Sequence, residues 1–113
     1  MSVLLVIRFD VESADTTKNF NEDGAKKLAQ LPGLQWKIWT ANLHKNEGAG
    51  FYLYATRRDA EIRAKQAVPH LSSLPGISNV TTEIYDIYED WTRITRGPLD
   101  VEANPSYPED VEA

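Results

Sequence analysis

The chain predicts an α+β domain, a four-stranded antiparallel sheet with two helices on one face. Three observations carry this. Four segments read as strands, rich in aliphatic, aromatic and β-branched residues. Two segments between them repeat apolar residues at helical spacing. Each helical segment closes on the same kind of stop, Leu31-Pro32-Gly33-Leu34 and Leu74-Pro75-Gly76-Ile77, which also opens the next strand. The resulting β-α-β-β-α-β order is the split-βαβ or ferredoxin-like arrangement.

Val3 to Val11 is the first strand, with aliphatic residues on both faces. Thr16 to Leu31 is read as one helix, because Phe20, Gly24, Leu28 and Leu31 fall on one side and Asn19 with Glu22 resembles a capping box. Leu34 to Leu43 is the second strand, Asn46 to Gly50 the hairpin loop, and Phe51 to Thr56 the third strand. Thr56 with Asp59 caps the second helix, whose inner stripe is Ala60, Ala64, Ala67, Leu71 and Leu74. Pro69 predicts a kink or a fresh short helix, since it has no amide hydrogen for the carbonyl four residues back. Ser78 to Glu89 is the fourth strand. Residues 1–98 form the domain, and 99–113 an acidic, proline-containing tail expected to be solvated unless a partner subunit holds it.

With 113 residues there is room for one modest core. No apolar run approaches the roughly 18 residues of a membrane span, and the basic start of a secretory signal is missing, so the expected location is cytoplasmic. There is no cysteine, and the two histidines, His44 and His70, lie far apart, so no spacing points to a metal centre or another cofactor. The net charge of −5 resides formally in the tail, which holds five acids and no base. The neutral body speaks against nucleic acid or an anionic membrane as partner.

Strand alternation gives the sheet two apolar faces. Val3, Leu5, Ile7 and Phe9 back onto Leu4 and Val6; Leu34, Trp36 and Ile38 back onto Lys37, Trp39 and Ala41; Phe51 and Leu53 back onto Tyr52 and Tyr54; Val80 and Ile84 back onto Tyr85 and Ile87. Two helices cover one face only. The other would be a large exposed apolar patch, most simply covered by a second copy, so a homodimer is expected.

The stretch Pro32-Gly33-Leu34-Gln35-Trp36-Lys37-Ile38-Trp39-Thr40 resembles the Pro-Gly-x-x-Trp-Lys-x-Trp-Thr motif of the YdhR family, and Glu47-Gly48-Ala49-Gly50-Phe51-Tyr52-Leu53-Tyr54 resembles its Glu-x-x-Gly-x-Tyr-Leu hairpin. A looser match runs on to about Leu99. The resemblance implies a dimeric α/β barrel and a monooxygenase activity without a cofactor, by analogy with enzymes that oxidise polyketide phenols to quinones. Those enzymes carry an Asn and a Trp in the strand after the hairpin. Phe51-Tyr52-Leu53-Tyr54-Ala55-Thr56 has no such pair, so their catalytic residues do not carry over.

Cofactor-free oxygenation needs an aromatic cavity, a base for the substrate, and a donor or cation for the resulting anion. The candidate catalytic residues are Lys37, Glu47 and Tyr52. Trp36, Trp39, Tyr54 and Arg8 are the candidate substrate-binding residues, with Tyr85 a further wall and His44 a further proton acceptor. The substrate expected is a small aromatic or polycyclic phenol. Each residue also has a plain structural reading. The tryptophans, Tyr52 and Tyr54 serve as core or interface packing; Lys37 pairs with Glu83 or Asp86; Glu47 fixes the turn. Acid–base chemistry by a cyclase, isomerase or lyase, and simple binding of an apolar ligand by a dimer, are the alternatives for the same pocket.

Overall fold

The computed structural model describes residues 1–113, apart from the side chains of residues 17–19. Strands β1 (Val3–Val11), β2 (Leu34–Asn42), β3 (Glu47–Tyr54) and β4 (Ile77–Asp86) form one antiparallel sheet in the order β2-β3-β1-β4. Helices α1 (Glu22–Leu28) and α2 (Arg57–Ser72) complete the β-α-β-β-α-β order, and a short α3 (Glu89–Ile94) follows β4. This is the ferredoxin-like fold that the residue pattern predicts. The core lies between α2 and one sheet face, where Val3, Leu5, Ile7, Phe9 and Val11 of β1 meet Ala60, Ala67 and Leu71 of α2. Register puts Tyr52 opposite Leu5 and Tyr54 opposite Val3, so both phenols belong to this inner face and not to a surface left for a partner.

The two Pro-Gly stops work as turns because Gly33 and Gly76 take φ of 75° and 80°, where a side chain would clash with its own backbone. At Gly33 there is a second constraint. A Cβ there would stand 2.2 Å from an Asp59 carboxylate oxygen. Thr56 caps α2 as expected, its hydroxyl accepting from the Asp59 amide at 3.2 Å. The helix runs on through Pro69 to Ser72, so no fresh short helix begins there. Pro69 and Lys65, four residues back, are both exposed, so water can satisfy the freed carbonyl.

Three boundaries move. The single helix expected over 16–31 is a 3-10 turn at Ala14–Asn19 and then α1, capped by Asn21, whose Oδ1 accepts from the Gly24 amide at 2.8 Å. The Asn19 side chain, on which the expected capping box rests, lies outside the described residues. Asn21 wins the cap because its carbonyl oxygen satisfies a first-turn amide that a longer helix would have bonded internally. The hairpin turn is 43–46, with Asn46 at a φ of 50°, so Glu47 to Gly50 belong to β3. The fourth strand stops at Asp86, and Glu89 opens α3.

The tail is held by its own chain and not by a partner subunit, although most of its residues are exposed. It runs back along its own chain as a strap. The Gly33 amide donates to the Pro105 carbonyl at 2.9 Å, and the Asn104 amide to the Leu34 carbonyl at 3.0 Å. Asn104 Nδ2 bonds the carbonyls of Ala29 and Leu31. Leu99 is buried, and Arg58 donates to the carbonyls of Tyr107, Pro108 and Val111. The anchor is Asp59, which has no exposed surface. It accepts from Ser106 Oγ at 2.7 Å, from the Tyr107 amide at 3.1 Å and from Thr56 Oγ1 at 2.9 Å. Composition reads as disorder here because the strap is held by backbone carbonyls and a few polar side chains, neither of which leaves an apolar pattern.

Candidate active site

Between the inner sheet face and the helices lie two adjoining cavities, of about 380 and 410 Å³. They share Phe20, Lys37, Trp39, Tyr52 and Leu71. The first is chiefly apolar, walled further by Ile7, Phe9 and Leu43. The second reaches under α1 and α2 to Lys27, Arg63 and His70.

The sequence creates this space in three ways. The break between the 3-10 turn and α1 leaves Phe20 to pack edge-to-face on both Phe9 and Trp39, each at 5.9 Å between ring centroids. Alternation on β2 sends Lys37 and Trp39 inward beside Tyr52 and Gly50 of β3. Gly48 and Gly50 keep the floor low. A Cβ on Gly48 would come within 2.4 Å of the Phe9 ring, and one on Gly50 within 2.9 Å of the Tyr52 ring.

Lys37 sits at the junction. Its Nζ lies 3.3 Å from the Trp39 ring centroid and 4.7 Å from that of Tyr52. Burial, and then the nearby Arg63 guanidinium, lower its pKa from 10.5 to about 7. The aromatic faces pull the other way, since they favour an ammonium by about 1 kcal/mol. Desolvation is the larger effect, and the result is an amine close to half-charged at neutral pH. No carboxylate is paired with it among the described residues. The expected partners Glu83 and Asp86 belong to β4, on the opposite edge of the sheet from β2. Burial raises the Tyr52 phenol above its ordinary value, against the opposing pull of Arg63, so Tyr52 is a neutral hydrogen-bond donor.

Of the sequence-derived candidates, then, Lys37, Trp39 and Tyr52 come together. The others are elsewhere. Tyr54 is fully buried beneath α2, stacked on Tyr52 at 6.2 Å and lining neither cavity; burial raises its phenol strongly too. Trp36 occupies the other face, and its Nε1 donates to the Pro98 carbonyl at 2.8 Å. Arg8 lies on that same outer face, with Tyr85 and Glu83 beside it. Glu47 is at the hairpin end of the sheet, opposite Asp10 and Asn42, and His44 is exposed in the turn. Phe20 and Arg63 were missed. Phe20 was assigned to a helix stripe. Arg63 is three residues past Ala60 and four before Ala67, so it is a charged residue on an apolar stripe, and that misfit was the available signal.

A ferredoxin-like α+β domain with an aromatic cavity between its four-stranded sheet and helices α1 and α2 is the class that fold and site define. The chain belongs to the family described as "Putative mono-oxygenase ydhR", whose model matches residues 4–98. Among solved structures it is similar to SnoaB, a cofactor-independent oxygenase from Streptomyces nogalater. The identity is 21% and the TM-score 0.56, over 76% of this chain and 92% of that one. A point mutant of the same enzyme matches at 22% identity and TM-score 0.56, over 77% and 93%. At this identity the likeness establishes the fold. No curated protein matches the sequence. No helix among the described residues is long and apolar enough to cross a membrane.

Proposed function

We propose that this protein is a cofactor-independent monooxygenase of a small phenolic aromatic compound, with Lys37 as the base and Tyr52 as the donor to the oxyanion. The observation that carries the reading is the Lys37 amine held against Trp39 and Tyr52 in an apolar cavity, with its pKa lowered to about 7. The neutral amine takes a proton from the substrate and leaves a delocalised anion. That anion gives one electron to dioxygen. The resulting radical and superoxide combine to form a carbon–oxygen bond. With an anthrone-type methylene, the peroxide loses water as a second C–H proton departs, so one oxygen atom ends as the quinone carbonyl and the other as water. Lys37, protonated in the first step, returns its proton to the leaving oxygen. The Tyr52 hydroxyl, neutral because of its burial, stabilises the anion by a hydrogen bond before electron transfer. The apolar walls limit the water that reaches the anion and radical pair.

The test is oxygen uptake by metal-free protein with a panel of anthrones and dihydroxyaromatics. Uptake above that of denatured protein supports the reading. Turnover under nitrogen points instead to acid–base chemistry, and saturable binding without conversion to a ligand carrier.

The protein is also read as a homodimer. The outer sheet face leaves Ile38 at 51% and Tyr85 at 45% exposure, beside half-buried Leu4, Trp36 and Phe51. On α3 and the residue before it, Tyr88, Trp91 and Ile94 are each more than two-thirds exposed. Apolar surface on this scale supports a face-to-face pair. A light-scattering mass of one chain at micromolar concentration would remove that reading.

A further inference from the structure

The protein as a whole is acidic, yet its inner cavity is not. Among the described residues, the basic side chains Lys27, Lys37, Arg63 and His70 line the second cavity, and no Asp or Glu does. A cavity lined by one sign of charge between apolar walls concentrates ligands of the other sign. Lys27 and His70 are exposed, whereas Lys37 and Arg63 are half-buried. The Arg63 Nε is buried without a hydrogen-bond partner, and no carboxylate forms an ion pair with it among the described residues. Arginine always carries its charge, and a buried guanidinium N–H without an acceptor is costly. Lys37 cannot relieve it, because the two cations repel, which is part of what lowers the lysine. The guanidinium is within hydrogen-bond reach of the Tyr52 hydroxyl, a neutral partner that leaves its charge uncompensated, and an anion is what would compensate it.

The two cavities give that anion an orientation. The first is aromatic and aliphatic, the second basic, and they meet at Lys37, Trp39 and Tyr52. A ligand filling both has a flat apolar end against Trp39 and Phe20 and an acidic end toward α2. We infer that the ligand is an aromatic acid, its ring held against Trp39 and Phe20 and its carboxylate on the Arg63 guanidinium. The planar carboxylate matches the arginine fork, whereas a tetrahedral phosphate calls for donors on several sides. The inference rests on the proposed oxygenase only for the phenolic character of the ring. Arg63 is a substrate-binding and orienting residue here: with the carboxylate fixed on α2, the ring hydroxyl is left at Lys37 and Tyr52.

The experiment is calorimetric titration under nitrogen, which removes oxygen-dependent turnover, with 6-hydroxy-2-naphthoate, 2-naphthol and 2-naphthyl phosphate as probes. The carboxylate is expected to bind at least about tenfold more tightly than 2-naphthol, the worth of one buried charge-assisted hydrogen bond. Arg63→Met should bring the two within about twofold of each other, and Arg63→Lys should retain part of the preference. Should Arg63→Met lose both ligands, Arg63→Lys decides: a retained preference supports the inference and a lost one overturns it. Equal affinities in the wild type, a preference that survives Arg63→Met, tighter binding of the phosphate, or no binding of any probe each overturns it. A carboxylate preference in a protein that consumes no oxygen removes the oxygenase reading and leaves this one standing. Oxygen uptake with no carboxylate preference does the reverse.

Discussion

Replacing Lys37 with methionine should make the protein more stable and inactive at once. The methionine keeps the length of the stem and its contacts with Trp39 and Tyr52, and removes the amine. A pKa lowered from 10.5 to about 7 means that the folded state disfavours the ammonium. At about 1.4 kcal/mol for each tenfold change, the full effect is roughly 4–5 kcal/mol. The cavity is partly open to water, and the aromatic faces return about 1–2 kcal/mol to the ammonium. The expected net gain for Lys37→Met is therefore about 2–3 kcal/mol below neutrality, or roughly 10 °C in melting temperature. The sign follows from proton binding. Unfolded, the lysine holds its proton up to about 10.5; folded, it releases it near 7. Between these values the unfolded chain binds more protons, so wild-type stability rises with pH across that window, and below it the penalty is complete. The gap between variant and wild type should be widest near pH ~6 and nearly closed by pH ~10. Thermal unfolding followed by circular dichroism at the two pH values measures it, with oxygen uptake alongside. A variant less stable than wild type at both values would show that the lysine is an ordinary solvated cation, and the base assignment would fall with it.

Two further perturbations test the frame around the site. Asp59→Ala deprives Ser106, the Tyr107 amide and Thr56 of a buried acceptor. It should cost about 3–4 kcal/mol and expose the strap to proteolysis after Leu99; a melting temperature unchanged within about 2 °C would show that the strap is not held by this carboxylate. Gly48→Ala drives the Phe9 ring toward the cavity, so 2-naphthol affinity should drop more than about tenfold, with stability falling by roughly 1–2 kcal/mol. Unchanged affinity would place the ligand away from the β3 floor.

The strand assignments and the order of elements were legible in the chain. Val3, Leu5, Ile7 and Phe9 alternate because a strand sends every second side chain to one side, and this local periodicity survives into the fold. The same rule puts Lys37 and Trp39 on one face. It could not say which face carried the helices. Tyr52 and Tyr54 look equivalent as sequence, yet one lines the cavity and the other is sealed beneath α2, because that depends on where α2 crosses the sheet. The tail illustrates the same limit. Asp59 and Ser106 are 47 positions apart, and nothing local to either announces the other. Periodicity records what each residue does within its own element, and for that the sequence alone sufficed. The basic lining around Arg63 and the anchoring of the strap arise between elements, where distance along the chain says nothing about distance in space, so only the tertiary structure decided them.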